Sequence, residues 1–161
     1  HCIGQNGFLN IHADFQSHTK RPHWSRQLNL LLYLNKDWQE EWGGQLELWD
    51  SDMTKAERTV SPIFNRCVIF HTTAESMHGH PVPLACPEGQ SRKSLALYYF
   101  RDEGTAQRLK PTNYRARPSD SGVERLLINT DRWLVRSYSF LKRYTPLGDR
   151  IASGILKSLF R

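Results

Sequence analysis

Residues 27–34 read Gln27-Leu28-Asn29-Leu30-Leu31-Leu32-Tyr33-Leu34, a run that is apolar on both strand faces over much of its length. Such a run is typical of a strand at the centre of a sheet, where both faces are covered. Further short strands are predicted around it, at residues 7–14, 45–49, 66–71 and 94–100. No helical pattern alternates with these strands, so the sequence predicts a mainly β domain of the sandwich or jelly-roll type.

The charge of the chain divides it into two parts. The 161 residues carry a net charge of +6, and their number suits one domain with a real core. Residues 105–161 contain 12 Lys and Arg against 4 Asp and Glu, whereas residues 1–104 contain 10 against 12. We therefore predict a nearly neutral body at 1–104 and a basic linker with a helical extension at 105–161.

The basic part begins with a predicted linker at residues 110–121, which holds two prolines. Beyond it, Leu127, Leu134, Tyr138 and Leu141 recur at helical spacing, and residues 151–159 suggest a second, short helix. We expect the first helix to pack against the body or an adjacent subunit, because many large apolar residues there need burial. Contact of residues 105–161 with nucleic acid or an anionic membrane is the less favoured alternative. The sequence does not predict an oligomeric state.

The three cysteines, Cys2, Cys67 and Cys86, form no CxxC pair and leave an odd count. This usage argues against a disulfide scaffold or a zinc ribbon, and favours a reducing compartment such as the cytoplasm. No stretch approaches the roughly 20 apolar residues that a membrane-spanning helix needs.

A candidate metal site lies at His12-x-Asp14. Residues i and i+2 of a strand point the same way, so both side chains can reach one ion from a rigid support. His78 is the favoured third ligand, and His80, which shares its strand parity, is the first alternative. Two imidazoles and one carboxylate suit a non-haem Fe(II) that keeps coordination positions open for oxygen chemistry.

A candidate acid-binding site lies at Arg92 and Tyr33. A carboxylate buried inside a β-barrel must be neutralised and hydrogen-bonded, and a guanidinium with a phenol supplies both. Ser94 shares a strand face with Arg92, so we assign it to the same site. An arginine at the start of a strand could thus anchor the far end of a dicarboxylate cosubstrate.

Two segments resemble the Fe(II)/2-oxoglutarate-dependent oxygenases, specifically the prolyl-4-hydroxylase-like branch. Leu32-Tyr33-Leu34-Asn35-Lys36-Asp37-Trp38, followed by Gly43-Gly44-Gln45-Leu46, is similar to a segment of the hypoxia-sensing prolyl hydroxylases. Arg92-x-Ser94 with residues 95–100 resembles the closing strand of the same group. The resemblance spans about residues 4–101 and implies a double-stranded β-helix, which is a cupin-like jelly roll.

The resemblance also implies roles for individual residues. His12, Asp14 and His78 match the iron ligands, Arg92 matches the residue that pairs with the distal carboxylate of 2-oxoglutarate, and Tyr33 matches its hydrogen-bond donor. The implied cofactors are Fe(II) and the cosubstrate 2-oxoglutarate, with ascorbate as a further candidate. The implied reaction consumes molecular oxygen and hydroxylates an unactivated C–H bond, and the presence of Asp14 favours hydroxylation over halogenation.

Two departures from the family pattern produce further expectations. His78 and Arg92 are 14 positions apart, more than in the hypoxia-sensing enzymes, so we expect the loop at residues 81–91 to be rebuilt. A family member also needs an upstream strand and supporting helices, so we expect either that such elements precede His1 or that the barrel is incomplete. The primary substrate is left open: a prolyl or other residue of a protein or peptide, or a small molecule. The alternative function is a catalytically degenerate cupin-like domain that binds a small acid or serves as an interaction module.

Overall fold

The computed structural model describes residues 1–18, 20–107, 112–130, 133 and 134. Within these ranges the chain forms nine strands, and a short 3-10 helix at Glu40–Trp42 precedes the fourth. The strands are β1 Cys2–Gly4, β2 Leu9–Ala13, β3 Trp24–Tyr33, β4 Leu46–Trp49, β5 Ala56–Val60, β6 Cys67–His71, β7 His78–His80, β8 Ser91–Asp102 and β9 Asn113–Tyr114.

The strands form two antiparallel sheets. The first has the order β1-β8-β3-β6, and the second has the order β5-β4-β7-β2-β9. Strands adjacent in sequence mostly lie in different sheets, so that β2 and β7 in one sheet alternate along the chain with β3, β6 and β8 in the other. This alternation is the jelly-roll arrangement, and it confirms the predicted mainly β fold.

The five predicted strands all form, as β2, β3, β4, β6 and β8. Four further strands were not predicted from the sequence, and they have between two and five residues each: β1, β5, β7 and β9. Strands this short carry too few alternating positions for a periodic pattern to stand out. The long apolar strand β3 is central, as predicted, and pairs with β8 along nearly its whole length.

The two faces of the first sheet differ in burial. On the inner face Asn29 and Tyr33 are buried, whereas Leu30 and Leu32 on the outer face are only half-buried. Leu95 and Leu97 of β8 are exposed. The expectation that both faces of β3 are covered is therefore wrong for the described part of the chain. Polar groups occupy the inner face, where a site can form.

An apolar cluster supports β2 on the side away from the candidate metal site. Ile11 and Ala13 are almost fully buried and pack with Met53 and Met77. They alternate with His12 along β2, so they lie on the opposite face of the strand. Burial of this face fixes the register of β2 and thereby the direction in which His12 points.

The loop at residues 81–90, between β7 and β8, is held at several points. The Asn6 N–H donates to the Leu84 carbonyl, and the Leu84 N–H donates to the Gly7 carbonyl. Leu84 and Cys86 are buried. Cys86 and the other two cysteines are free. The loop thus packs onto the body beside the start of β8.

The basic part of the chain contributes to the second sheet. Strand β9, inside the predicted linker, pairs with β2 so that Tyr114 lies opposite His12. Residues 122–130 are helical, as predicted around Leu127. Tyr138, Leu141 and the second predicted helix lie outside the described residues. No helix within those residues has the length and apolar character to cross a membrane.

Candidate active site

Three side chains predicted to form a metal site lie together inside the jelly roll. His12 is on β2, Asp14 follows the end of β2, and His78 begins β7. The Nε2 atom of His12 lies 3.5 Å from Oδ1 of Asp14, and Nε2 of His78 lies 3.5 Å from Oδ2. Donor atoms of the three residues all lie within 4.8 Å of one another. A single ion could therefore contact all three.

Hydrogen bonds fix which nitrogen each imidazole presents to this cluster. His12 Nδ1 lies 2.8 Å from the Asn10 carbonyl oxygen, and His78 Nδ1 lies 2.8 Å from the Ser76 carbonyl oxygen. A carbonyl only accepts, so each Nδ1 carries the proton and each Nε2 presents a lone pair to the cluster. This arrangement is typical of metal-binding histidines, whose second nitrogen is held by a backbone carbonyl or a carboxylate.

A polar network behind Asp14 orients its carboxylate. Arg26 Nη2 donates to Oδ2 of Asp14 at 3.0 Å, and Asn29 Nδ2 donates to the same oxygen at 2.7 Å. Arg26 Nε and the Thr72 hydroxyl both donate to Oδ1 of Asn29. Partial burial opposes ionisation, but the charge of Arg26 and the hydrogen bonds that Arg26 and Asn29 donate hold the pKa of Asp14 well below its usual range. Asp14 is therefore a carboxylate, the form that binds a metal.

Arg26 and Asn29 were not predicted as site residues from the sequence. They are three positions apart, so simple strand alternation places them on opposite faces. A register shift in the pairing of β3 with β8, between Arg26 and Leu28, changes this, and both side chains are buried on the same side. Asn29 alone could have been suspected, since it is a polar residue on the same parity as Tyr33 within an apolar strand.

His78, and not His80, lies with His12 and Asp14 in the candidate metal site. Gly79 between them lies against β2: a Cβ atom there would be 2.7 Å from the Leu9 carbonyl oxygen and 2.9 Å from that of Asn10. Only glycine allows this close approach of β7, which carries His78 to His12. His80 is 2% exposed, and burial, with the charges of Arg92 and His12, lowers its pKa to about 3.

The predicted acid-binding residues form a second polar group on the first sheet. Arg92 and Tyr33 are buried, and Ser94 is buried opposite Tyr33 in the pairing of β3 with β8. Arg92 Nε donates to the Gly44 carbonyl at 2.7 Å, and Nη2 donates to the Tyr33 hydroxyl at 3.3 Å. Because the phenol oxygen accepts this bond, the Tyr33 O–H remains available to donate to a ligand.

Arg92 has no acidic partner among the described residues, although it is 4% exposed. Arg26, by contrast, is paired with Asp14. Burial lowers the pKa of Arg92, and the Tyr33 phenol opposes this effect. A guanidinium keeps its charge in proteins, and a buried charge is costly unless it is paired. Arg92 is thus a buried positive charge that none of the described carboxylates compensates.

Gly44 shapes the surroundings of Arg92, and its replacement gives a testable prediction. Its φ is +76°, and a Cβ atom there would lie 2.7 Å from Leu84 and 2.8 Å from Cδ of Arg92. We expect Gly44→Ala to lower the free energy of unfolding by about 2 kcal/mol or more, from backbone strain and overpacking. Displacement of Arg92 should also weaken anion binding.

Gly89→Ala is the matched control for this prediction. Gly89 has a φ of +82°, but nothing lies within 4 Å of a Cβ atom there. Urea unfolding of both variants measures their losses of stability. The backbone strain is common to both variants, so the additional loss in Gly44→Ala reports the steric clash with Leu84 and Arg92. Equal losses of stability in the two variants would contradict the predicted contact with Arg92.

The chemistry of the donor set fits a non-haem metal. Two neutral imidazoles and one carboxylate on a rigid β scaffold define a class of jelly-roll proteins with a metal site that leaves positions open to other ligands. The chain matches the family model of the 2OG-Fe(II) oxygenase superfamily over residues 1–100. The chain therefore belongs to the 2OG-Fe(II) oxygenase superfamily, and Fe(II) and 2-oxoglutarate are the cofactor and cosubstrate that membership implies.

Solved structures similar to the chain include three prolyl hydroxylases. A Trichoplax adhaerens prolyl hydroxylase, in complex with a hypoxia inducible factor oxygen degradation domain peptide, is 26% identical over 64% of this chain and 42% of its own, with a TM-score of 0.48. A Pseudomonas putida prolyl-4-hydroxylase is 23% identical over 68% of this chain and 51% of its own, with a TM-score of 0.46.

The third is a Phytophthora capsici prolyl 4-hydroxylase, 24% identical over 65% of this chain and 31% of its own, with a TM-score of 0.46. The matched part of this chain thus corresponds to about half or less of each of these proteins. No curated protein sequence matches the chain significantly.

Proposed function

We propose that this protein is an Fe(II)- and 2-oxoglutarate-dependent dioxygenase that hydroxylates an unactivated C–H bond. The observation that carries the proposal is the pairing of two features inside one jelly roll. One is the cluster of His12, Asp14 and His78, whose donor atoms lie within 4.8 Å of one another. The other is the buried Arg92, which lacks an acidic partner among the described residues. A metal and a dicarboxylate would satisfy both.

In this proposal each side chain has a defined task. His12 and His78 bind the metal through Nε2, and Asp14 binds it through its carboxylate. Bound Fe(II) supplies the redox chemistry that couples decarboxylation of 2-oxoglutarate, with oxygen, to hydroxylation of the substrate. Arg92 and Tyr33 hold the far carboxylate of the cosubstrate, and Ser94 lies beside them on β8. Their burial keeps water away from these charges, which strengthens the interactions.

We propose a prolyl or other residue of a protein or peptide as the first substrate to test. The support is the similarity of residues 32–38 and 43–46 to the hypoxia-sensing prolyl hydroxylases. The neighbourhood of the metal cluster is aromatic: Tyr114 lies 5.4 Å from the His12 ring, and Phe70 lies 4.7 Å from the His78 ring, both between centroids. Aromatic walls suit an apolar side chain such as that of proline.

Formation of succinate tests the activity before a substrate is known. We expect the protein to convert 2-oxoglutarate to succinate slowly when Fe(II) and oxygen are present, and faster when a true substrate is added. NMR spectroscopy follows the conversion, and mass spectrometry then detects peptides that gain one oxygen atom. A protein that binds 2-oxoglutarate but forms no succinate with any metal would instead be the catalytically degenerate domain that the sequence left as the alternative.

A further inference from the structure

His80 is a buried polar residue that belongs neither to the candidate metal site nor to the candidate acid-binding site. It is 2% exposed, and neither Nδ1 nor Nε2 has a hydrogen-bond partner. An imidazole always offers at least one N–H donor, and a buried donor without a partner carries a desolvation penalty. Buried polar groups of this kind are rare in folded proteins, and each calls for an explanation such as a missing ligand.

The surroundings of His80 indicate what that ligand is. His80 and His78 lie two positions apart on β7 and therefore point to the same side of the second sheet. Strand β7 pairs antiparallel with β4, so that β7 runs from His78 past His80 toward the level of Gly44. The Gly44 carbonyl accepts the hydrogen bond from Arg92 Nε. Along β7, His80 thus lies between His78 and the end of the sheet at which Arg92 is held. A molecule that reaches from the metal to Arg92 passes this imidazole.

We propose that His80 is a further cosubstrate-binding residue, which donates a hydrogen bond to the dicarboxylate held between the metal and Arg92. This inference rests on the proposed function of the same site. It assigns to His80 a role different from that of a metal ligand, since the structure brings only His78 to Asp14. Arg92, Tyr33 and His80 would then form one donor set, with Gly79 fixing the position of the imidazole through its close approach to β2.

The proposal predicts opposite effects on binding and on stability. His80→Leu should weaken binding of 2-oxoglutarate to the Fe(II)-loaded protein about tenfold or more, because a hydrogen bond to a charged group is lost. The affinity for Fe(II) itself should stay unchanged. The Tm of the metal-free protein should rise by about 2 °C or more, because an unpartnered buried imidazole is replaced by an apolar side chain of similar size.

The test is an anaerobic titration of the Fe(II)-loaded protein with 2-oxoglutarate, followed through the visible absorption of the metal–cosubstrate complex. His80→Gln, which keeps a hydrogen-bond donor, should restore most of the affinity. His71→Leu, at an exposed histidine of β6, is the control for loss of an imidazole and should bind like the wild type. An unchanged dissociation constant in His80→Leu would overturn the proposal, and an equal loss of Fe(II) affinity would reassign His80 as a metal ligand.

A second measurement needs no folded leucine variant. In the wild-type protein loaded with diamagnetic Zn(II), the imidazole 15N resonance that His80→Gln removes should shift when 2-oxoglutarate is added. A resonance that does not move, although the cosubstrate binds, would contradict the proposal. If the wild-type metal-loaded protein bound no 2-oxoglutarate at all, the proposed function would fail instead, so the two failures are distinguishable.

Discussion

Asp14→Asn is expected to weaken Fe(II) binding by at least about 100-fold and to abolish the metal-dependent conversion of 2-oxoglutarate to succinate. Loss of a residue that only orients a metal ligand costs 10- to 100-fold in affinity, and loss of the one anionic ligand in this cluster should cost more. Asparagine keeps the shape of the side chain and one oxygen acceptor, so the variant tests the charge. Metal affinity measured under argon is the direct readout.

The same substitution should also reduce stability. Arg26 is 2% exposed and would lose its carboxylate partner. Removing one member of a buried ion pair costs about 3 kcal/mol or more, so urea unfolding of the metal-free variant should detect the change. Asp52→Asn, at an exposed carboxylate between β4 and β5, is the control and should change neither property. A folded Asp14→Asn protein with wild-type Fe(II) affinity would refute the assigned metal site.

Arg92→Met is expected to weaken 2-oxoglutarate binding by at least about 30-fold while leaving Fe(II) affinity unchanged. Truncating one partner of a buried, hydrogen-bonded charge pair costs 2 kcal/mol or more, which corresponds to that factor. Because no described acidic residue pairs with Arg92, the substitution leaves no uncompensated negative charge in the protein. We therefore expect little loss of stability, in contrast to Asp14→Asn.

Lys93 provides the matched control for Arg92. It is the next residue of β8, carries the same charge, and points to solvent. Lys93→Met should bind 2-oxoglutarate like the wild type, which would exclude a general effect of net charge. Arg92→Lys should be intermediate, because an ammonium keeps the charge but cannot present a planar fork to a carboxylate. Equal affinities in Arg92→Met and Lys93→Met would contradict the anchoring role.

The parts of the site that alternate simply along strands could be predicted from the sequence. His12 and Asp14 are two positions apart at the end of β2, and the structure brings them together as that spacing predicts. Arg92 and Ser94 are likewise both buried on β8. In such cases the periodicity of the strand decides where the side chain points, and no information about other elements is needed.

Features that depend on how two strands meet could not be predicted. Arg26 reaches Asp14 only because of a register shift in the pairing of β3 with β8, and nothing local in the sequence marks that shift. Strand parity left His80 open beside the favoured His78, because the position of β7 depends on the approach of Gly79 to β2, a contact between distant segments. Strand β9 likewise forms from two residues of a proline-flanked segment, because β2 offers a free edge.

One metal and one dicarboxylate are expected to occupy the interior of this jelly roll together. A crystal structure of the protein grown with Mn(II), which replaces Fe(II) without turnover, and 2-oxoglutarate tests it most directly. We predict the metal bound by Nε2 of His12, the Asp14 carboxylate and Nε2 of His78, with the far carboxylate of 2-oxoglutarate on Arg92 and Tyr33. A metal bound elsewhere, or a dicarboxylate that does not contact Arg92, would refute this arrangement.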